Sequence, residues 1–493
     1  MATYRVPGVY VEEVTTFPPS VAPVETALPA FIGYTAKRPE RPLAAGDPGP
    51  TAEADRPIQA IRIGSLLAFE ELFGRGVPAV IEEIVLDENR QFVRAALTQT
   101  FYLYDAVQLF YANGGGDCYI VSVGELLTDS TSPDPGDFSA GIAALETYDE
   151  PTILLFPDAV SLSGVPHPVY ALQVEALQHC ARRMDRIAVL DLPADDLDGS
   201  DFRNNTGTEG LSYGAAYTPW LRVSLSKPYD LATLAAADVF TVPGIGADQS
   251  LEDALPTAEQ TAYDDAVNPP PPGDAAAAEA TFYRKSSTFR SILRGLNDTV
   301  VAVPPSGAVV GLYAFVDRTR GVWKAPANVS VAAADGLTRV FTQSELGDLN
   351  VDTVGGKSIN AIRRFTGKGI LVYGARTLAG NDNQYRYVSV RRLMNMLEES
   401  IQKATVQFVF EPNDANTWVR VRAMIENFLT LLWRDGALQG AKPEHAFRVA
   451  VGLGRTMTPQ DVLDGRMIVV VHVAPVRPAE FIVLRFMQHL PTA

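Results

Sequence analysis

The sequence predicts an α/β protein built on a mostly parallel sheet. Two observations carry that prediction. Between Tyr102 and Leu192, strand-type and helix-type patterns alternate in the rhythm of βαβ units. Several of the strands, residues 152–157 (TILLFP) and 187–191 (IAVLD) above all, are near-continuous apolar runs, as expected of strands covered on both faces. A second α/β pattern fills the last third of the chain, where two long amphipathic helices lie among short strands.

In chain order, residues 6–14 (VPGVYVEEV) form a short strand pattern with a Pro-Gly entry, followed by the proline-rich stretch 17–23 (FPPSVAP). Prolines at this density exclude regular helix and give an extended, stiff arm. The first compact strand is expected at 30–35 (AFIGYT), and residues 38–57, rich in Pro, Ala, Gly and Asp, read as a surface loop. A helix at 103–113 is stopped by Gly114-Gly115-Gly116, and a strand follows at 118–123. Helices are expected at 142–148 and at 169–184, the latter with Leu172, Ala176, Leu177 and Cys180 at helical spacing. Residues 268–280 (NPPPPGDAAAAEA) are low in complexity and read as a surface excursion.

In the last third, strands are expected at 370–373 and 406–410, and a helix at 387–404 with Leu393, Leu397 and Ile401 on one face. A second helix at 417–434 has a natural cap in Asp414 or Asn416 and a stop at Gly436. Trp418, Val421, Ile425, Phe428 and Leu432 line one of its faces, and Arg420, Asn427 and Arg434 the other. Strands at 467–473 and 481–486 close the chain. Pro475 and Pro478 separate them, so the last can leave the sheet and act on its own.

Composition excludes several classes of function. The chain has 493 residues, enough for two to four compact units, and 47% hydrophobic residues to build their cores. Two cysteines, Cys118 and Cys180, provide neither a disulfide framework nor a thiolate metal cluster. The N-terminus lacks the pattern of a secretory signal, which points to synthesis and folding in a cytoplasm, and no apolar run is long enough to span a bilayer. The net charge of −17 is uneven: residues from 356 onward carry +7 and the rest −24. An acidic excess of this size argues against direct contact with nucleic acid. Two readings of the asymmetry stand: the acidic surface keeps an abundant protein soluble, or the basic C-terminal part faces an acidic partner.

No catalytic constellation emerges. Gly210-Leu211-Ser212-Tyr213-Gly214 has the spacing of a nucleophile elbow, but the residues before it are polar and those after it do not start a helix. Gly355-Gly356-Lys357-Ser358 lacks the first glycine of a phosphate loop, since that position is Val351. The triple glycine at 114–116 precedes a strand, whereas a dinucleotide loop follows one. The five histidines are isolated, so no catalytic, cofactor-binding or metal residue is assigned.

Strings spread along most of the chain form an ordered set. They are Pro7-Gly8-Val9-Tyr10-Val11-Glu12-Glu13 with Phe31-Ile32-Gly33, then Gly114-Gly115-Gly116-Asp117-Cys118-Tyr119 and Val303-Pro304-Pro305-Ser306-Gly307. Gly321-Val322-Trp323-Lys324-Ala325-Pro326-Ala327-Asn328 is a specific match, as is Ile359-Asn360-Ala361-Ile362-Arg363 with Tyr373-Gly374-Ala375-Arg376-Thr377. Val390-Arg391-Arg392-Leu393, Glu398-Glu399-Ser400-Ile401 and Phe410-Glu411-Pro412-Asn413-Asp414 complete the order. Together, in this order, they resemble contractile tail sheath proteins, and the resemblance implies a non-catalytic, subtilisin-like α/β domain, a C-terminal α/β sheath domain, and extended terminal arms that pair with neighbouring subunits.

The expected division is therefore an N-terminal arm over 1–24, the first domain over 25–344 with variable insertions at about 38–94 and 195–280, the second domain over 345–475, and a C-terminal arm over 476–493. The expected function is a structural subunit that polymerises around an inner tube and contracts to drive the tube through a target envelope. Expected partners are further copies of the chain, an inner tube protein, baseplate and terminal cap proteins, and sheath paralogues, with no cofactor and no direct contact with nucleic acid or membrane. The product would be a phage tail or phage tail-like particle. The arm strands would use Val9, Tyr10 and Val11 at one end and Phe481, Ile482, Val483 and Leu484 at the other, and Arg420, Asn427 and Arg434 would face the tube. The alternatives are a tail-tube or baseplate protein of the same kind of machine, lacking the arms and paired helices, and a monomeric, non-catalytic hydrolase-like scaffold. On the non-enzyme reading, Ser212→Ala and Lys357→Ala leave assembly and contraction unchanged; peptide, ester or nucleotide hydrolysis by the pure protein, lost in either variant, would overturn it.

Overall fold

The computed structural model describes residues 20–39, 57–76, 79–126, 132–225, 229–269 and 274–485. The chain divides into two compact units. Of the described residues, the larger unit holds those within 25–392 and 477–485, and the smaller those within 20–24 and 393–476.

The larger unit is organised on a nine-stranded sheet. From one edge, its strands are Val329–Ser330, Gly369–Val372, Ile359–Phe365, Gly214–Thr218, Ile187–Asp191, Ile153–Leu155, Pro29–Thr35, Cys118–Glu125 and Ala60–Ile63. The six from Ile359–Phe365 to Cys118–Glu125 run parallel, and antiparallel strands close both edges. Alternate residues of each parallel strand enter two separate cores. Phe31, Ile120, Leu155, Val189 and Tyr217 face the helices Leu103–Ala112 and Ser306–Arg320. Ile32, Val121, Leu154, Leu190 and Ala216 face the helices Pro135–Ala144 and Val169–Arg183. The runs are apolar at every position because both faces are covered.

On the first face the two helices meet backbone to backbone. A Cβ on Gly307 would lie 2.4 Å from the Ala106 carbonyl oxygen, and one on Gly311 would lie 2.5 Å from that of Phe110. A buried carboxylate ties the first strand to the same layer: Asp158 accepts from the amides of Tyr34 at 2.8 Å, Tyr102 at 2.5 Å and Leu103 at 2.8 Å. Gly33 leaves the room it needs, since a Cβ there would sit 2.4 Å from Asp158 Oδ2.

A third core lies in the same unit. The strands Val80–Leu86, Phe92–Thr98, Phe240–Val242 and Gly246–Gln249 form a four-stranded sheet, with Ile84, Phe240, Phe282, Phe289 and Ile292 buried beside it. The segments expected as two variable insertions, 38–94 and 195–280, are therefore not separate excursions. Val80–Leu86 pairs in parallel with Phe240–Val242, while Ala60–Ile63 and Gly214–Thr218 are strands of the main sheet. Residues 275–280, read above as low-complexity surface, belong to the helix Ala275–Lys285, which Asp274 caps and the buried Phe282 anchors. The alanine run is simply a good helix former once the prolines have ended. The second domain also begins later than residue 345, because Ile359–Phe365 and Gly369–Val372 add to the nine-stranded sheet.

Asp191 ends a central strand and is buried, accepting from the Ser306 amide at 2.9 Å. Burial pushes its carboxyl up to about 7, whereas an unfolded Asp titrates near 3.9. Between those values the folded state holds a proton that the unfolded state lacks. This contribution to stability is present in full below about pH 4 and is lost as pH rises through 7. The thermal unfolding midpoint of the larger unit should therefore fall as pH rises from about 4 to about 7, and Asp191→Asn, which keeps the acceptor, should flatten part of the slope. An unchanged slope in Asp191→Asn would exclude this group as its source.

Candidate functional site

In the smaller unit, the helix Ala415–Arg434 is capped by Asp414, whose carboxylate accepts the Thr417 amide at 3.0 Å, and it stops at Gly436 with φ 88°. It buries Val421, Met424, Ile425, Phe428, Leu429 and Leu432. Beside it lies an antiparallel pair of strands, Phe447–Val451 and Val469–Val473, in the register Val449↔Val471. This sheet has only two strands among the described residues, so each keeps one edge without a strand neighbour. Val469, Val471 and Val473 alternate along one face of the hairpin. With Met394, Leu397, Ile401 and Leu429 they line an apolar groove of ≈ 350 Å³. Two strands alone are marginal in water, and a third strand or a helix is needed to stabilise such a sheet. An open edge next to an apolar groove is a place where a strand can be added.

The segment from 477 onward returns to the larger unit. There Glu480 is held by a two-pronged ion pair. Arg376 donates from Nε to Oε1 at 2.9 Å and from Nη2 to Oε2 at 2.7 Å. Asn350 Nδ2 donates to Oε1 at 2.8 Å, and the Tyr387 hydroxyl to Oε2 at 3.0 Å. Burial raises the Glu480 carboxyl, but the donors from Arg376 and Asn350 outweigh it and hold the group below its ordinary range. Directly after this clasp, Phe481, Ile482, Val483 and Leu484 are 71%, 79%, 75% and 73% exposed. Residues 481–485 form no strand, in contrast to the expectation for 481–486. Their side chains suit a strand, but a strand exists only where another supplies its hydrogen bonds.

Of the other residues assigned from sequence, Val9, Tyr10 and Val11 lie outside the described residues. Arg420, Asn427 and Arg434 all lie on the exposed face of the helix Ala415–Arg434. Arg420 is already paired with Glu411 at 2.9 Å and also contacts the Phe408 ring, 5.6 Å from its centroid. Residues 406–410 are not the strand expected: Val406–Phe408 is a turn of 3₁₀ helix, and Phe410 has a positive φ of 69° and is fully exposed. Their β-type composition found no sheet to join.

The rejected motifs are structural. Gly210 to Gly214 passes through a 3₁₀ turn into the strand Gly214–Thr218, whereas a nucleophile elbow leaves a strand to enter a helix. In the Gly355-Gly356-Lys357-Ser358 loop, Asp352 occupies the amides, accepting from Val354 at 3.0 Å and from Gly355 and Lys357 at 3.1 Å. Lys357 is buried and donates through Nζ to the Arg203 carbonyl. It is a structural residue, so Lys357→Ala leaves that carbonyl without its donor and cannot be expected to be silent as the motif argument assumed. The groove and the Glu480 clasp were missed from sequence. A signal existed: Glu480 is the one acidic residue after Asp464, placed directly before an apolar run.

Fold and site together describe an α/β protein with a two-stranded hairpin beside an apolar groove. Residues 380–488 match the phage tail sheath C-terminal domain family, and the chain is similar to contractile tail sheath proteins. It is 28% identical over 191 residues to the tail sheath protein of Vibrio phage KVP40, covering 38% of this chain and 27% of that relative. It is also 28% identical over 147 residues to the tail sheath protein of Burkholderia phage BcepMu, covering 28% of this chain and 30% of the relative. The chain thus spans less than a third of the length of these curated relatives. Among solved structures the likeness runs end to end. The sheath complex of the extracellular contractile injection system PVC, in its contracted state, is 28% identical with a TM-score of 0.60 over 99% of both chains. The contracted helical sheath of the anti-feeding prophage is 27% identical with a TM-score of 0.63, over 99% of this chain and 100% of that one.

Proposed function

We propose that this chain is the sheath subunit of a contractile injection machine, polymerising around an inner tube and contracting to drive that tube through a target envelope. The likeness to two contracted sheath subunits over nearly the whole chain carries the reading. The larger unit would then be the non-catalytic, subtilisin-like domain of the family, a role its central parallel sheet supports. A matched chain in the baseplate of the anti-feeding prophage, 28% identical with a TM-score of 0.61, supports the baseplate as a partner.

Subunits are joined on this reading by strand exchange. The segment Phe481 to Leu484 from one copy adds to the hairpin edge of another and buries its side chains in that copy's groove. The segment is apolar at every position, as a strand covered on both faces must be, and the valine-lined groove supplies one of those covers. The N-terminal arm, with Val9, Tyr10 and Val11, acts in the same way. The exposed stripe of Arg420, Asn427 and Arg434 meets an acidic patch on the inner tube, through pairs each worth about 0.2–1 kcal/mol and screened by salt.

Deleting residues 481–493 should leave a folded, soluble subunit that forms no tubes, seen by negative-stain microscopy. Tubes of normal length from that truncation would mean that arm exchange does not join the subunits. For the tube contact, Arg420→Glu combined with Arg434→Glu should give empty or prematurely contracted sheaths, the more so at low salt. Tube-filled extended particles from the double variant would leave the stripe as no more than a solvated helix face.

A further inference from the structure

The C-terminal apolar segment is not simply a free end. It starts at Phe481, and the residue before it is one of the most firmly held acids of the larger unit. The Arg376 side chain is only 5% exposed and that of Glu480 22%. Arg376 is itself fixed from behind: its Nη1 donates to the Asn350 carbonyl at 3.1 Å, and its backbone amide donates to Asn360 Oδ1 at 2.8 Å. Asn360 in turn holds the Ala216 carbonyl at 3.2 Å, inside the parallel sheet. A chain of hydrogen bonds therefore runs from the central sheet through Asn360 and Arg376 to Glu480.

We propose that this clasp is an assembly-positioning site, which fixes where the C-terminal arm leaves its own subunit and presents Phe481 to Leu484 to a second copy of the chain. The inference rests on the strand-exchange reading and adds to it the residue that aims the arm. An arm that diffuses freely loses its conformational freedom on docking, and one fixed at its root has lost much of it beforehand. A forked Arg–carboxylate pair suits this task, because it fixes direction as well as position. Arg376 is thus a positioning residue, and its effect is felt through Glu480.

The test uses the full chain. Cys118 and Cys180 are buried, so Ile482→Cys accepts a spin label selectively, and its mobility reports on the arm in the unassembled subunit. Glu480→Gln keeps size and shape but removes the charge. It should free the label and slow tube formation, followed by light scattering on unlabelled protein, by at least about tenfold, since hydrogen bonds to a charged partner are lost. Thermal unfolding checks that Glu480→Gln remains folded, and Tyr387→Phe, which removes one donor, should show a smaller effect of the same sign. If Glu480→Gln leaves both mobility and assembly rate at wild-type values while deletion of 481–493 abolishes tubes, the clasp does not position the arm and strand exchange stands. If the deletion itself forms normal tubes, strand exchange fails and the clasp has no arm to aim.

Discussion

A strand carries hydrogen-bonding groups along both edges, and burying an edge without partners costs more than the paired bond returns. The larger unit meets this constraint within itself. Its six parallel strands are flanked by antiparallel ones, and helices cover both faces. The helical cover on both faces explains the apolar runs in the central strands, and on one face two helices pack so closely that Gly307 and Gly311 have no room for a side chain. The smaller unit leaves the same constraint open. Among the described residues its hairpin stays at two strands, beside an apolar groove, and the segment Phe481 to Leu484 has strand chemistry without a strand. On the strand-exchange reading proposed above, the unmet edge and the unmet strand of one chain are complementary between two copies.

Ion pairs in the larger unit stand where the chain passes from one unit to the other. Arg392, the last residue before the second unit, donates to both carboxylate oxygens of Asp317, at 3.0 and 2.5 Å, and to the Thr26 carbonyl at 2.9 Å. Thr26 stands two residues after the other crossing and donates its hydroxyl to Asp317 at 2.5 Å. Glu480 follows the third crossing by only a few residues. Buried pairs of this kind are weak evidence for stability, because desolvation offsets much of their attraction. What they give is a fixed geometry, and here they fix the larger unit's side of each crossing.

Much of this was legible in the sequence wherever a local rule and the tertiary context agree. The helix expected at 169–184 is Val169–Arg183 with Met184 left-handed at its end, and the helix expected at 417–434 is Ala415–Arg434 under its Asp414 cap. Where they disagree, reading failed. The helix expected at 142–148 begins at Pro135, because proline at a helix start is favourable and Asp134 caps it, features that resemble a loop in isolation. Residues 406–410 have strand residues but no partner. The strings that carried the resemblance turn out to hold specific physical jobs: Gly33 makes room for Asp158, Gly307 for the Ala106 backbone, Arg376 holds Glu480 and Arg392 holds Asp317. Those jobs were invisible from spacing alone, because each partner lies far away in sequence.

If subunits are joined by strand exchange as proposed, there is a consequence for how a sheath could store energy. Backbone pairing is directional along the strand but indifferent to most side chains, so it can persist while the bodies it joins change their relative positions. Four or five added hydrogen bonds at about 1 kcal/mol each, with side-chain burial of about 1.5–3 kcal/mol apiece, are partly offset by an ordering cost of about 1–2 kcal/mol per residue. A single exchanged strand is therefore a modest bond, and holding at a root such as Glu480 lowers the ordering cost that it must overcome. Repetition along a helical array makes the connection effectively permanent through local concentration. Because the same bonds exist before and after contraction on this reading, they cannot drive it. The driving force has to come from surfaces that are exchanged between the two lattices, while the arms keep each subunit attached to its neighbours.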